Sequence, residues 1–190
     1  MIPDYNFAEE LVEGGPFQVE ACYQCRKCTN GCPVAFAMDI FPDEVIRMVL
    51  LGQKERVLEC KTIWICAACE TCTTRCPNEV RIAELMDHLK EMSLREKRPC
   101  PVPEVLTLHQ TFLNNVKRGG RAFETTLLPA YMLKSSRILN KIKEGSWWAD
   151  AKLGWKMFFK GRMPVFRKRI KGKNDVKRLL RSFKKGPQPD

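Results

Sequence analysis

Histidine is nearly absent from this 190-residue chain: His88 and His109 are the only two. They offer no Cys–His or Ser–His catalytic arrangement, and both read as helix-surface or packing residues. Also missing is any uninterrupted apolar run of about 18 residues, the minimum for a membrane-spanning helix. The N-terminal stretch MIPDYNFAEELVEGG has no basic region followed by an apolar run, so no secretory signal is visible. A cytoplasmic, reducing location is therefore expected, in which the ten cysteines serve as thiolate ligands and not as a disulfide framework. The chain is not poor in apolar residues, at 44%, which excludes wholesale disorder.

Acidic residues are plentiful in one half and scarce in the other. Residues 1–100 carry 16 Asp/Glu against 12 Lys/Arg, whereas residues 101–190 carry 6 against 21. The expected organisation is an acidic core over 1–100 and a basic, aromatic-containing extension over 101–190. Such a field favours an acidic protein surface, anionic lipid or nucleic acid, without choosing among them.

Two cysteine runs dominate. Cys22, Cys25, Cys28 and Cys32 precede Pro33; Cys66, Cys69, Cys72 and Cys76 precede Pro77. Both obey C-x2-C-x2-C-x3-C-P, the dicluster ferredoxin pattern, in which the fourth cysteine serves the other cluster. Applied here, Cys22, Cys25, Cys28 and Cys76 hold one [4Fe–4S] cluster, and Cys66, Cys69, Cys72 and Cys32 the second. Every corner is then taken by cysteine, which points to one-electron relay and not to chemistry at iron. The competing metal is zinc, which also accepts four thiolates. Zinc sites use two spaced pairs, not three equally spaced cysteines followed by C-P. Gly31 is expected either where the loop passes close to a cluster or needs positive φ, or as an ordinary turn glycine. Cys60 and Cys100 fall outside both runs and read as small buried apolar side chains.

The fold expected is all-α. Pro42 and the acidic pair Asp43–Glu44 open a short helix that Gly52 closes, with Val45, Met48 and Val49 on one face. A further turn or two covers Lys54 to Glu59, and Trp64 caps a cluster from the apolar side. Ile82, Leu85, Met86, Leu89 and Met92 predict a longer helix over 81–97. The Arg98–Pro103 stretch, with three prolines, interrupts helix, and another helix runs from Pro103 to Arg118. Beyond Arg121 come short basic helical pieces, including the aromatic-rich 147–160. That segment is read as a protein interface, with a membrane surface or local core as alternatives. The basic runs 166–171 and 177–185 lack any base-reading motif, and 186–190 reads as a frayed tail.

The two cysteine runs, Pro42, Gly52, the Trp64–Cys66 stretch and the helix after Pro77 resemble the HdrC-like dicluster ferredoxins, the small iron–sulfur subunits of heterodisulfide reductases, over residues 15–120. The resemblance implies a helical ferredoxin passing electrons from a large flavin-containing, iron–sulfur subunit to a separate catalytic one. In that family the catalytic subunit holds noncubane clusters bound by motifs with adjacent cysteines. No two cysteines are adjacent here, so the site that reduces the coenzyme M–coenzyme B disulfide, or a related one, lies on another chain. The same cysteine motif is shared with iron–sulfur subunits of succinate, glycolate and glycerol-3-phosphate dehydrogenases. An alternative of another class is a zinc-containing nucleic-acid-binding protein. Peripheral membrane contact stays open, and no spanning segment is expected.

Overall fold

The computed structural model describes residues 3–4, 6–135, 147–160, 170 and 172–182. Among them there is helix and no strand, so the fold is all-α as the patterning predicts. The chain divides into two compact units, Met1–Pro103 and Glu104–Asp190.

The first unit is a set of short helices around the two cysteine loops. Helix α1 (Phe7–Gly14) buries Phe7 and Leu11, one helical turn apart. After the first cysteine loop comes α2 (Lys27–Asn30), followed by α3 (Pro42–Leu50). Pro42 sits in the first turn of α3, where its missing N–H is not needed, and the Phe41 N–H donates to Glu44 Oε2 at 2.9 Å. Val45, Ile46 and Val49 are fully buried and Met48 only half so; the buried face is rotated slightly from the expected one. Gly52 ends the segment at φ +67°, and a Cβ there would collide with the Asp4 carbonyl oxygen. Its own carbonyl accepts the Asp4 N–H at 2.8 Å, so glycine is required both for the turn and for this close approach.

Helices α4 (Lys54–Leu58) and α5 (Lys61–Ile65) lead to the second cysteine loop, which runs into α6 (Thr71–Arg75) and α7 (Ile82–Arg95). The five-residue apolar stripe expected on α7 is buried in full, and it packs against α4, α5 and α6. Ser93 on the same helix donates to the Leu58 carbonyl at 3.0 Å. Lys54 bridges Glu10 at 2.7 Å and Glu96 at 2.9 Å, tying α1, α4 and the end of α7.

The start of α5 is capped from a distance. Asp39 accepts the Lys61 N–H at 2.9 Å and the Thr62 N–H at 3.0 Å, and the Thr62 hydroxyl lies 2.9 Å from it. Two orphan amides of the helix are thereby satisfied by a residue more than twenty positions upstream. Partial burial alone would raise the Asp39 pKa, but these hydrogen bonds outweigh it and hold the carboxyl below its usual value.

The second unit contains α8 (Pro103–Gly119), α9 (Glu124–Lys134), α10 (Trp147–Phe159) and α11 (Lys173–Ser182). Asn115 clamps the turn after α8: its Oδ1 accepts the Phe123 N–H at 2.9 Å and its Nδ2 donates to Thr126 Oγ1 at 2.8 Å. On α10, Trp148, Trp155, Phe158 and Phe159 are exposed, and the Trp155 and Phe159 rings meet edge to face, 5.0 Å apart. The basic run 166–171 lies outside the described residues except for Ile170, as do residues 183–190.

Asp39→Ala should destabilise the chain by about 1 kcal/mol, the usual cost of a lost N-cap, in denaturant titrations followed by circular dichroism. A carboxyl with depressed pKa stabilises above its unfolded pKa and loses that effect as pH falls through the folded one. The gap between wild type and variant should hold from neutral pH downward and close only in acid below about pH 4.

Candidate iron–sulfur site

The two cysteine loops share one backbone path. In the first, Gln24 and Arg26 adopt φ of 60° and 62°; in the second, Ala68 and Glu70 adopt 50° and 58°. These are equivalent positions, flanking the second cysteine of each run, and each pair leads straight into a short helix, α2 or α6. Positive φ is uncommon outside glycine and costs of order 1 kcal/mol or more per residue. Left-handed residues of this kind are a component of the backbone nests that receive anionic and iron–sulfur groups.

The chain then brings one run to the other. Cys32, from the end of the first run, lines the same cavity as Cys66, Cys69 and Cys72, whose remaining wall is apolar and includes Met38, Ile82 and Met86. The reverse exchange occurs at the first loop, where Tyr23 is a neighbour of both Cys25 and Cys76, and Cys28 feels the charge of Cys22. Helices α2 and α6 pack directly on each other. Gly31 has φ −95°, so the expected positive φ is not found. What it provides is space, because a Cβ there would lie 2.8 Å from Arg75 Cδ. The Asn78 side-chain amide closes the clasp by donating to the Ala21 carbonyl, and Thr73 Oγ1 accepts the Ala83 N–H at 3.2 Å at the start of α7.

Burial governs the thiols. It pushes Cys28 and Cys66 up and carries Cys72 to about 11. Cys69, at the exposed rim, is lowered by the Thr71 hydroxyl and amide. Sulfurs accept donors at several points: Gln24 Nε2 on Cys22 and the Val80 N–H on Cys76, each at 3.4 Å. Among the described residues, no three Cys, His, Asp or Glu side chains gather as ligands of one metal ion; the thiols are instead spread around a hollow. Four soft thiols around an apolar cavity, where burial disfavours uncompensated thiolate, fit a cationic iron–sulfur core.

The remaining candidates fall outside this arrangement. His88 packs on the Phe17 ring at 5.2 Å, and His109 is exposed on α8. Cys60 is buried at the start of α5 and Cys100 is half-buried; burial raises both pKa values. Trp64 is buried on α5, and its indole N–H has no hydrogen-bond partner among the described residues. Lys90 is a functional candidate that sequence does not single out. It reaches from α7 to donate to the Cys66 carbonyl at 3.2 Å, and a lysine beside an apolar stripe carries no signal of that role.

Residues 18–80 match the 4Fe-4S dicluster domain family, which supports two [4Fe–4S] clusters in this region. Over a somewhat longer stretch the chain is similar to the small iron–sulfur subunits of heterodisulfide reductases. It is 35% identical over 99 residues to the C2 iron–sulfur subunit of the CoB–CoM heterodisulfide reductase of Methanocaldococcus jannaschii, covering 48% of this chain and 53% of that one. The C2 subunit of the H(2)/formate:CoB–CoM heterodisulfide,ferredoxin reductase of Methanococcus maripaludis is 32% identical over 99 residues, with the same coverage. A C-subunit-like heterodisulfide reductase protein of Archaeoglobus profundus is 31% identical over 90 residues, 47% of this chain and 48% of its own. The chain spans about half the length of these relatives.

A β-branched side chain at a positive-φ position is strongly disfavoured. Ala68→Val should therefore lose much of the iron of the second site after anaerobic reconstitution, whereas Ala68→Gly should retain it, as read by iron and acid-labile sulfide assays.

Proposed function

We propose that this chain is the electron-transfer subunit of a heterodisulfide reductase-like complex. Cys22, Cys25, Cys28 and Cys76 ligate one [4Fe–4S] cluster, and Cys66, Cys69, Cys72 and Cys32 the other. The single observation that carries the ligand grouping is the presence of Cys32 in the cavity of the second run's three thiols. When bound, such clusters supply one-electron chemistry. The loops aim amides at the sulfurs, α5 and α7 cover the interior side, and Cys25 and Cys69 remain at the surface, where redox partners gain short approach. With all eight loop cysteines engaged as ligands, the chain converts no substrate itself.

By analogy with the named relatives, the electrons come from a large partner that carries flavin and iron–sulfur clusters. They leave to a catalytic partner with noncubane clusters that reduces CoM-S-S-CoB or a related disulfide. Residues 101–190, basic and with exposed aromatics on α10, serve as the docking extension, since exposed Trp and Phe are typical anchors of protein interfaces. No helix among the described residues is long and apolar enough to cross a membrane, and a cytoplasmic complex is part of this reading.

Anaerobic affinity purification of the chain from its native cell, with mass spectrometry of what is retained, tests the assembly. The expected result is a large flavin–iron–sulfur protein together with a second protein rich in paired cysteines; a lone flavin dehydrogenase would reject it. The ligand grouping has its own test. Cys32→Ser should abolish the same electron paramagnetic resonance (EPR) component as Cys69→Ser, and Cys76→Ser the same one as Cys25→Ser. If Cys32→Ser groups with Cys25→Ser, the crossing is wrong.

A further inference from the structure

Each cysteine loop has a charged side chain buried beside it, and the two charges are opposite. Near the first loop this is Asp43, whose side chain is 5% exposed. It receives the hydroxyl proton of Thr29, the residue after Cys28, and its charge acts on Cys28. Near the second loop it is Lys90, 13% exposed, with Nζ 3.2 Å from the Cys66 carbonyl oxygen and its charge acting on Cys66. Each has a counter-charge, but on the solvent side. Arg26, paired with Asp43 at 3.3 Å, is 71% exposed; Asp87, paired with Lys90 at 2.9 Å, is 56% exposed.

This inside-and-outside arrangement decides which charge dominates at the thiols. An interaction through the low-dielectric interior is several times stronger than one through water, and salt screens exposed charges further. The solvated Arg26 and Asp87 therefore offset only part of the field of their buried partners. Asp43 thus adds a negative contribution at the first site, against the exposed Arg26 and Lys27, and Lys90 a positive one at the second, against the exposed Glu70 and Asp87. Nearby charge is one of the protein's levers on cluster potential: a negative field opposes an added electron and a positive one welcomes it.

We propose that Asp43 and Lys90 are positioning residues that set the direction of electron flow, making the Cys22–Cys25–Cys28–Cys76 site the low-potential entrance and the Cys66–Cys69–Cys72–Cys32 site the high-potential exit. The proposal rests on the relay and ligand grouping above. One electron from a reduced flavin or iron–sulfur partner arrives at the first site, passes to the second, and leaves to an oxidised partner. No proton or bond change is required of the chain.

The test is an EPR-monitored redox titration of the cluster-loaded full chain, with signals assigned to sites by Cys25→Ser and Cys69→Ser. In the wild type the second site should be reduced first. Lys90→Met should lower the midpoint of the second site enough to change the equilibrium between sites about tenfold, which is 59 mV for one electron. Lys90→Arg should leave it in place. Asp43→Asn should raise the midpoint of the first site. Should Lys90→Met fail to retain iron, Lys90→Gln decides, because its amide can still donate to the Cys66 carbonyl while the charge is gone, and it should lower the second midpoint as Lys90→Met would. Unchanged midpoints in iron-replete variants, or a wild type whose first site is reduced first, would overturn the proposal. A Lys90 effect on the signal lost in Cys25→Ser would instead overturn the ligand grouping.

Discussion

The first unit depends on two short helices being allowed to touch. Where α2 meets α6, Gly31 leaves room for the aliphatic part of Arg75, and Asn78 fastens the far loop to the near one. Without that closeness Cys32 would not reach the cavity of the second run. The rest of the unit is arranged to hold this contact: α7 lays its apolar stripe across α4, α5 and α6, and Asp39 fixes the start of the helix that delivers Cys66. Short helices of four or five residues have almost no stability of their own. Here they are ordered by packing and capping from elsewhere in the chain.

Much of this is legible in the chain itself. The stripe on α7 and the Pro42-to-Gly52 helix follow from side-chain spacing, because burial on one face is a local property of sequence. The cysteine spacing announces both loops, and Cys32 does lie in the cavity of the second run. What is not legible depends on distance in sequence. Asp39 as the cap of α5 and Lys90 at the Cys66 carbonyl join residues more than twenty positions apart, and no periodicity encodes such pairs. The positive φ considered for Gly31 is not found, for a related reason. Its loop position suggests a backbone need, whereas the constraint comes from Arg75 in the opposite loop. The four left-handed residues of the cysteine loops are invisible in sequence because none is glycine.

The second unit follows a different physics. Asn115 gives the turn after α8 a defined shape, but α10 keeps large aromatic surfaces in contact with water. Exposing Trp and Phe in this way is costly for an isolated chain, since each buried aromatic ordinarily contributes well over 1 kcal/mol. Lysines at 152, 156 and 160 interleave with these aromatics along the same segment, so the exposed apolar surface is broken by charge.

The choice of residue at the left-handed positions has one more consequence. Glycine at 26 and 70 would relax the backbone and give the two rims the same bare surface. Arginine stands at one and glutamate at the other, both exposed, so two loops with the same backbone path present unlike faces to the outside. The duplicated shape is thus marked with a positive charge on one rim and a negative one on the other.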